Sequence, residues 1–298
     1  MNYYAGVDLG GTNTKIGILN REGDILKSRI IKTLSAEGVD NTLERIWKTI
    51  QELAQELDIN IKNIKGIGLG IPGPVLEQSI VAFFANFPWE RNINIKEKLE
   101  KLTGIETKLD NDANIIALGE AKYGAAKGSK SSVTVALGTG IGGGIYIDGK
   151  LVSGAKGAGG EVGHMKIVKD GKCGCGQRGC FEAYVSATGL IREAVSRLTV
   201  NKQNLLYKMI DGDLMKLEAK DIFDAAREGD AFSLDLVDYE AEYLALGIAN
   251  ILNIINPEVV VLGGGVALAG DILLNPMREK MVKYALPVTL EELKIVQG

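Results

Sequence analysis

The sequence predicts an α/β protein of two related lobes, and three observations point there. Short β-runs come first and then alternate with helical stretches. An opening pattern of strand, glycine turn, strand and tight turn restarts near residue 133. The 298-residue chain is also long enough to bury two cores.

In order, YYAGVDL, TKIGIL and DILKSR read as three strands in a meander, with NREGD supplying the turn residues Asn, Gly and Asp between the last two. Residues 41–57 place Leu43, Ile46, Ile50, Leu53 and Leu57 on one face at helical spacing, so this helix packs on the sheet. IKGIGLGI alternates apolar residues with glycine as a strand, and IPGP stops it because closely spaced prolines cannot continue a hydrogen-bonded ladder. TKL reads as a strand, and LDNDANIIALGEAKYG as a turn into a helix.

The restart, SVTVALGTGIGGGIYIDGKLVSG, has Asp148 and Gly149 at its tight turn. Residues 185–235 read as mostly helical. YEAEYLALGIANILNIINPE gives a long helix with Leu244, Gly247, Ile248, Ile251 and Ile255 on one stripe, and VVVLGGGV a buried strand ending in three glycines.

Composition excludes several classes of function. The net charge is −4 with Lys and Arg scattered, so no basic stripe offers a phosphate footprint for DNA or RNA. No apolar run approaches the roughly 18–20 residues of a membrane helix. MNYYAGVDLGG enters an apolar strand without a basic leader or cleavage site, so the expectation is a cytoplasmic protein with a small-molecule ligand and neither nucleic acid nor membrane as partner. Three cysteines are an odd count and too few for a disulfide framework in a chain of this length.

GLGIPG (68–73) and GTGIGG (138–143) both match the dinucleotide fingerprint GxGxxG, which needs a strand before it and a helix after it. Prolines break the first and a strand follows the second, so neither is a Rossmann site, and no GxxxxGK[ST] string exists. What remains is two glycine turns in hairpins, DLGGTNTK and LGTGIGGG. Singly each reads as a tight turn; as a pair in duplicated lobes their backbone N–H groups favour phosphate.

All three cysteines fall in GKCGCGQRGC, and the single histidine, His164, lies just upstream in EVGHM. Cys173, Cys175, Cys180 and His164 supply the four ligands of a tetrahedral Cys₃His zinc site, which leaves no open position and is therefore structural. The alternative is a reduced set of cysteines beside a core histidine.

Taken in sequence, DLGGTNTKIG, GIGLGIPGPV, LDNDANIIALGE, VALGTGIGGGI, GAGGEVGHM, CGCGQRGCFEAYVSATG and VVVLGGGV resemble the ROK family (repressors, open reading frames, kinases), most of all its ATP-dependent glucokinase branch. The resemblance covers nearly the whole chain. It implies the actin-like ATPase fold of two ribonuclease-H-like lobes with an interlobe cleft, here residues 1–117 and 118–298, and it implies a homodimer.

It also implies roles. Asp112 would be the general base for a sugar hydroxyl and Asn111 a sugar contact, although an Asp opening a helix is ordinarily an N-cap. Glu161 and Glu182 would grip adjacent hydroxyls, where lone glutamates are ordinarily solvated surface. His164 would serve both zinc and sugar. Asp8, read as following a buried strand where a lone carboxylate is costly, would help hold Mg²⁺. Gly10, Gly11, Thr12, Asn13 and Lys15 would form the first phosphate loop and Gly138, Thr139 and Gly140 the second, while Gly263, Gly264 and Gly265 would let the nucleoside of ATP approach the backbone. The phosphate turns, being sheet hairpins, are expected to be independent of the metal loop.

Two departures from the family stand out: the chain stops at LEELKIVQG where relatives continue into a final helix, and AFFANFPWERN follows the family's Asn-Leu-Pro stretch only loosely. The function implied is transfer of the γ-phosphoryl of ATP to the 6-hydroxyl of glucose. A kinase for N-acetylmannosamine, N-acetylglucosamine, mannose or fructose, or a non-catalytic sugar-binding regulator, remains open.

Overall fold

The computed structural model describes residues 1–84 and 87–298; Ala85 and Asn86, within AFFANFPWERN, lie outside the described residues. The chain forms two compact units, residues 1–116 with 153–159, and residues 117–152 with 160–298.

The first unit is built on a sheet of β1 (Tyr3–Leu9), β2 (Asn13–Leu19), β3 (Ile25–Lys32), β4 (Ile64–Ile71) and β8 (Thr107–Asn111) in the order β3-β2-β1-β4-β8. Helix α1 (Val39–Glu56) lies between β3 and β4 in sequence, and its stripe Leu43, Ile46, Ile50 and Leu53 is buried in one cluster with Val7, Leu9 and Leu69. Each such side chain contributes about 1.5–3 kcal/mol when fully buried. Three two-residue strands, β5 (Val75–Leu76), β6 (Ile80–Val81) and β7 (Ile93–Asn94), and helix α2 (Ile95–Thr103) complete the unit. Phe84, Phe87 and Trp89 pack together there with ring centroids 4.6–5.8 Å apart. AFFANFPWERN therefore supplies a local aromatic cluster. The predicted turn before Asp112 is absent: β8 runs through Asn111 straight into α3 (Asp112–Lys122).

The second unit repeats the frame with β9 (Ser131–Leu137), β10 (Ile141–Ile147), β11 (Lys150–Leu151), β12 (Val259–Gly263) and β13 (Lys294–Gln297) in the order β11-β10-β9-β12-β13. Asp148 and Gly149 both have positive φ, 48° and 86°, as the tight hairpin requires. Helices α4 (Glu182–Val185), α5 (Ala187–Leu198), α6 (Leu205–Met209), α7 (Ala219–Arg227) and α8 (Ala231–Ile255) come between β11 and β12; α9 (Asp271–Met281) and α10 (Pro287–Leu290) precede β13. Helix α8 starts earlier than its apolar stripe shows, because Asp230 caps it by accepting from the Ser233 N–H. No helix of the described residues is long and apolar enough to cross a membrane.

Candidate active site

In the first unit, the hairpin between β1 and β2 is closed by the Gly10 N–H donating to the Asn13 carbonyl at 3.1 Å. Thr33, just past β3, braces it: its hydroxyl donates to the Gly10 carbonyl at 2.6 Å and its N–H to the Thr12 carbonyl at 3.0 Å. Gly11, Thr12 and Asn13 are exposed. Lys32 donates to Asn13 Oδ1 at 3.0 Å and Lys15 lies 3.6 Å from Asp8, so two ammonium groups flank an open turn, which suits an anion. Sequence reasoning missed Lys32 and Thr33, which lie outside the glycine motif.

Asp8 departs from its sequence expectation. It lies inside β1 rather than after it, opposite Lys15, and its side chain is 56% exposed. No burial penalty forces a partner on it. What the exposed carboxylate does have is freedom to take a cation.

Asp112 opens α3 and is partly buried. Burial, then the negative charge of Asp8, pushes its carboxyl above the ordinary range, against the opposing Ala113 N–H, which donates to Oδ1 at 2.8 Å. Capping falls instead to Asn111, whose Oδ1 accepts from Ala113 N–H at 2.9 Å and Asn114 N–H at 3.4 Å. Asn111 Nδ2 donates to the Gly73 carbonyl at 3.2 Å, which leaves its second N–H for a ligand. Asp110 is buried and accepts from Asn111 N–H and Asn114 Nδ2, a structural role.

In the second unit, the short turn Val162–His164 lies directly on β10. Side chains at Gly143 and Gly163 would prevent this: a Cβ on Gly163 would stand 2.5 Å from the Ile141 carbonyl, and one on Gly143 would meet that of Gly160. This contact fixes Glu161 and His164. The cysteine loop returns through the bridges Lys166–Cys180 and Lys172–Arg178, and Phe181, fully buried against Gly247 of α8, anchors its end.

One donor atom from each of His164, Cys173, Cys175 and Cys180 lies within 4.8 Å of every other, and the cysteines are not disulfide-bonded. Cys173 Sγ faces His164 Nδ1 at 3.8 Å, while Nε2 faces the Glu161 carboxylate at 4.0 Å. The two ring nitrogens thus look to different groups. Burial pushes the Cys173 thiol up to about 12, so a thiolate there needs a cation beside it. Lys166 donates to Cys180 Sγ at 2.8 Å and offsets part of the negative charge that three thiolates would bring. This donor set fits a tetrahedral metal ion.

Glu182 accepts from the Cys173 thiol at 3.1 Å through Oε1 and from Ile141 N–H at 2.9 Å through Oε2. Glu161, His164, Cys173 and Glu182 are therefore neighbours in series. The second glycine turn closes through Gly138 N–H to the Gly140 carbonyl at 2.9 Å, and Thr188 Oγ1 donates to the Thr139 carbonyl at 2.8 Å. Glu182 thus lies against both the second glycine turn and Cys173 of the cysteine loop. At the end of β12, Gly264 has φ 86° and a Cβ there would stand 2.5 Å from the Leu137 carbonyl, while Gly263 and Gly265 face open space.

Two sheets of one strand order, each with a glycine turn between its first two strands, define the actin-like ATPase class of fold, made of ribonuclease-H-like lobes. The chain belongs to the ROK family, whose model matches residues 4–296. It is 41% identical over 284 residues to a glucokinase of Thermotoga maritima, covering 95% of this chain and 88% of the relative. It is 40% identical over 288 residues to a glucokinase of Halalkalibacterium halodurans, covering 96% and 87%. Among solved structures, a ROK family glucokinase from Streptomyces griseus in complex with glucose and AMPPNP superposes with a TM-score of 0.82 at 31% identity, covering 99% of this chain and 94% of that one.

Proposed function

We propose that this chain is an ATP-dependent glucokinase that transfers the γ-phosphoryl of ATP to the 6-hydroxyl of glucose. The observation that carries the chemistry is Asp112, a carboxyl with a raised pKa held at the start of a helix that Asn111 caps. With Oδ1 engaged by Ala113 N–H, the proton of the attacking hydroxyl goes to Oδ2. Glucose as the acceptor is supported by the two relatives, both glucokinases, at 40–41% identity.

Asn111, Glu161, His164 Nε2 and Glu182 contact the sugar. A carboxylate accepts from two adjacent hydroxyls at once, and the second Asn111 N–H donates to a third. The turns at residues 10–15 and 138–140 hold the phosphates through backbone N–H groups, with Lys15 and Lys32 adding charge, and Gly263 to Gly265 leave room for the nucleoside. Asp8 holds Mg²⁺, which neutralises charge on the transferring phosphoryl group. His164, Cys173, Cys175 and Cys180 hold a structural Zn²⁺ that orders the loop carrying Glu161 and Glu182. Cysteines that are not disulfide-bonded suit a reducing compartment, which supports a cytoplasmic location, and family resemblance supports a dimer.

The test is ADP formation from ATP and Mg²⁺ with glucose, mannose, fructose, N-acetylglucosamine and N-acetylmannosamine in parallel. Glucose should give the highest kcat/KM. Another sugar in first place assigns a different hexose, and sugar binding with no ADP from any of them assigns a regulator.

A further inference from the structure

Glu182 is fixed between two parts of the second unit that sequence treats as separate. Its Oε2 accepts from Ile141 N–H, immediately after the second glycine turn, and occupies the space that a Cβ on Gly140 would need. Residues just beyond it grip the same turn: Ala187 N–H donates to the Gly138 carbonyl at 2.9 Å and Thr188 Oγ1 to the Thr139 carbonyl. On the other side, Oε1 faces Cys173, which adjoins His164.

We propose that Glu182 is a positioning residue that couples sugar binding to phosphate binding, because one carboxylate both grips the sugar and fixes the backbone of the second phosphate turn. The proposal rests on the sugar and phosphate roles given above for Glu182 and residues 138–140. A carboxylate has about four lone-pair sites, so holding Ile141 N–H leaves capacity for sugar hydroxyls. A sugar that immobilises this carboxylate also immobilises Ile141 N–H and the turn behind it. ATP then meets a turn already ordered, and the two ligands favour one another reciprocally.

Gly140 provides the discriminating variant. It belongs to the phosphate turn, yet a methyl there displaces the Glu182 carboxylate, so Gly140→Ala should weaken glucose binding about tenfold with no nucleotide present. In a Glu182→Ala background the same change should have no further effect on glucose, because no carboxylate remains to displace. Glu182→Ala should also weaken AMPPNP binding about tenfold and abolish its enhancement by glucose, whereas Glu182→Gln, which keeps an oxygen for Ile141 N–H, should hold AMPPNP within about twofold of wild type. Calorimetry on the full chain reads all four. Glucose affinity unchanged in Gly140→Ala, or additive losses in the double variant, overturns the coupling.

A readout without ligands separates this from failure of the glucokinase reading. Amide exchange at Ile141 should quicken at least about tenfold in Glu182→Ala and stay slow in Glu182→Gln. Unchanged exchange in Glu182→Ala overturns the tie even if the enzyme is active. A wild-type chain that binds neither glucose nor AMPPNP overturns the glucokinase reading and the coupling built on it, while the exchange data then show only whether the tie exists.

Discussion

Setting Leu9 against Leu137, the last residue of each unit's first strand, brings Asp8 level with Ala136. Each of these faces a glycine on the neighbouring parallel strand, Gly70 for Asp8 and Gly263 for Ala136. Equal strand order and register thus place a carboxylate in one unit and a methyl group in the other. The turns also differ in bracing: Thr33, just past the third strand, ties the first, whereas Glu182 and Thr188 from the inserted helices tie the second. A duplicated frame supplies a glycine turn and a narrow strand end twice. One copy carries the acidic pair Asp8 and Asp112, and the other the His164, Cys173, Cys175 and Cys180 cluster, so the proposed function divides acid chemistry and metal-held sugar binding between them.

That division is broken most severely at Asp112. Asp112→Asn should lower kcat by about 10²–10⁴-fold while glucose affinity by calorimetry changes little, because the amide keeps the shape but cannot take the proton. In the wild type the base is present only above its raised pKa, so turnover should fall as pH drops through a value above the ordinary carboxylate range. Turnover in Asp112→Asn near wild type would remove the base from the first unit.

Asp8→Ala makes the first unit resemble the second at this strand position. Turnover should fall at least about tenfold and the Mg²⁺ requirement rise. Stability should change by less than about 1 kcal/mol, since among the described residues the ion pair lost is the exposed one with Lys15. An unaltered Mg²⁺ dependence would show that the two strand ends are equivalent after all.

Damage to the second unit should look different. Cys175→Ser should lose zinc and weaken glucose binding about tenfold or more, without moving the acid limb set by Asp112. Because Glu182 touches both Cys173 and Ile141, some loss of ATP affinity should accompany it. Zinc content, the two affinities and the pH profile decide this, and full glucose affinity in folded, zinc-free protein would make the cluster a remote staple.

The smallest effect concerns buried acids. In the first unit Asp110 is answered by Asn111 N–H and Asn114 Nδ2, whereas Glu240 on α8 is fully buried and neither of its oxygens has a hydrogen-bond partner among the described residues. Burial holds Glu240 protonated well above its ordinary pKa. The unfolded chain releases that proton at ordinary acidity and the folded one keeps it, so stability is lost as pH rises above the ordinary carboxylate pKa. Glu240→Leu should stabilise by about 1–3 kcal/mol, with a larger gain at pH 8 than at pH 5 in urea melts. An equal gain at both pH values would mean that Glu240 has a partner when folded.

By itself the sequence determined the strands of the first sheet and all but β13 of the second, the glycine turns, helix α1 and the four candidate ligands, because each is written in local spacing: apolar period, turn residues and rare side chains close together. It also held the family, through motifs in fixed order. It did not show the short strands β5, β6 and β7, β13, or the early start of α8, where apolar residues are too few to set a period. Only tertiary structure decided that Asn111 rather than Asp112 caps α3, that Asp8 is exposed, that His164 turns Nδ1 to the cysteines and Nε2 to Glu161, and that Glu182 reaches Ile141 across 41 positions of sequence. A side chain's partner depends on which backbone the fold brings within about 3 Å of it, and local spacing carries no record of that distance.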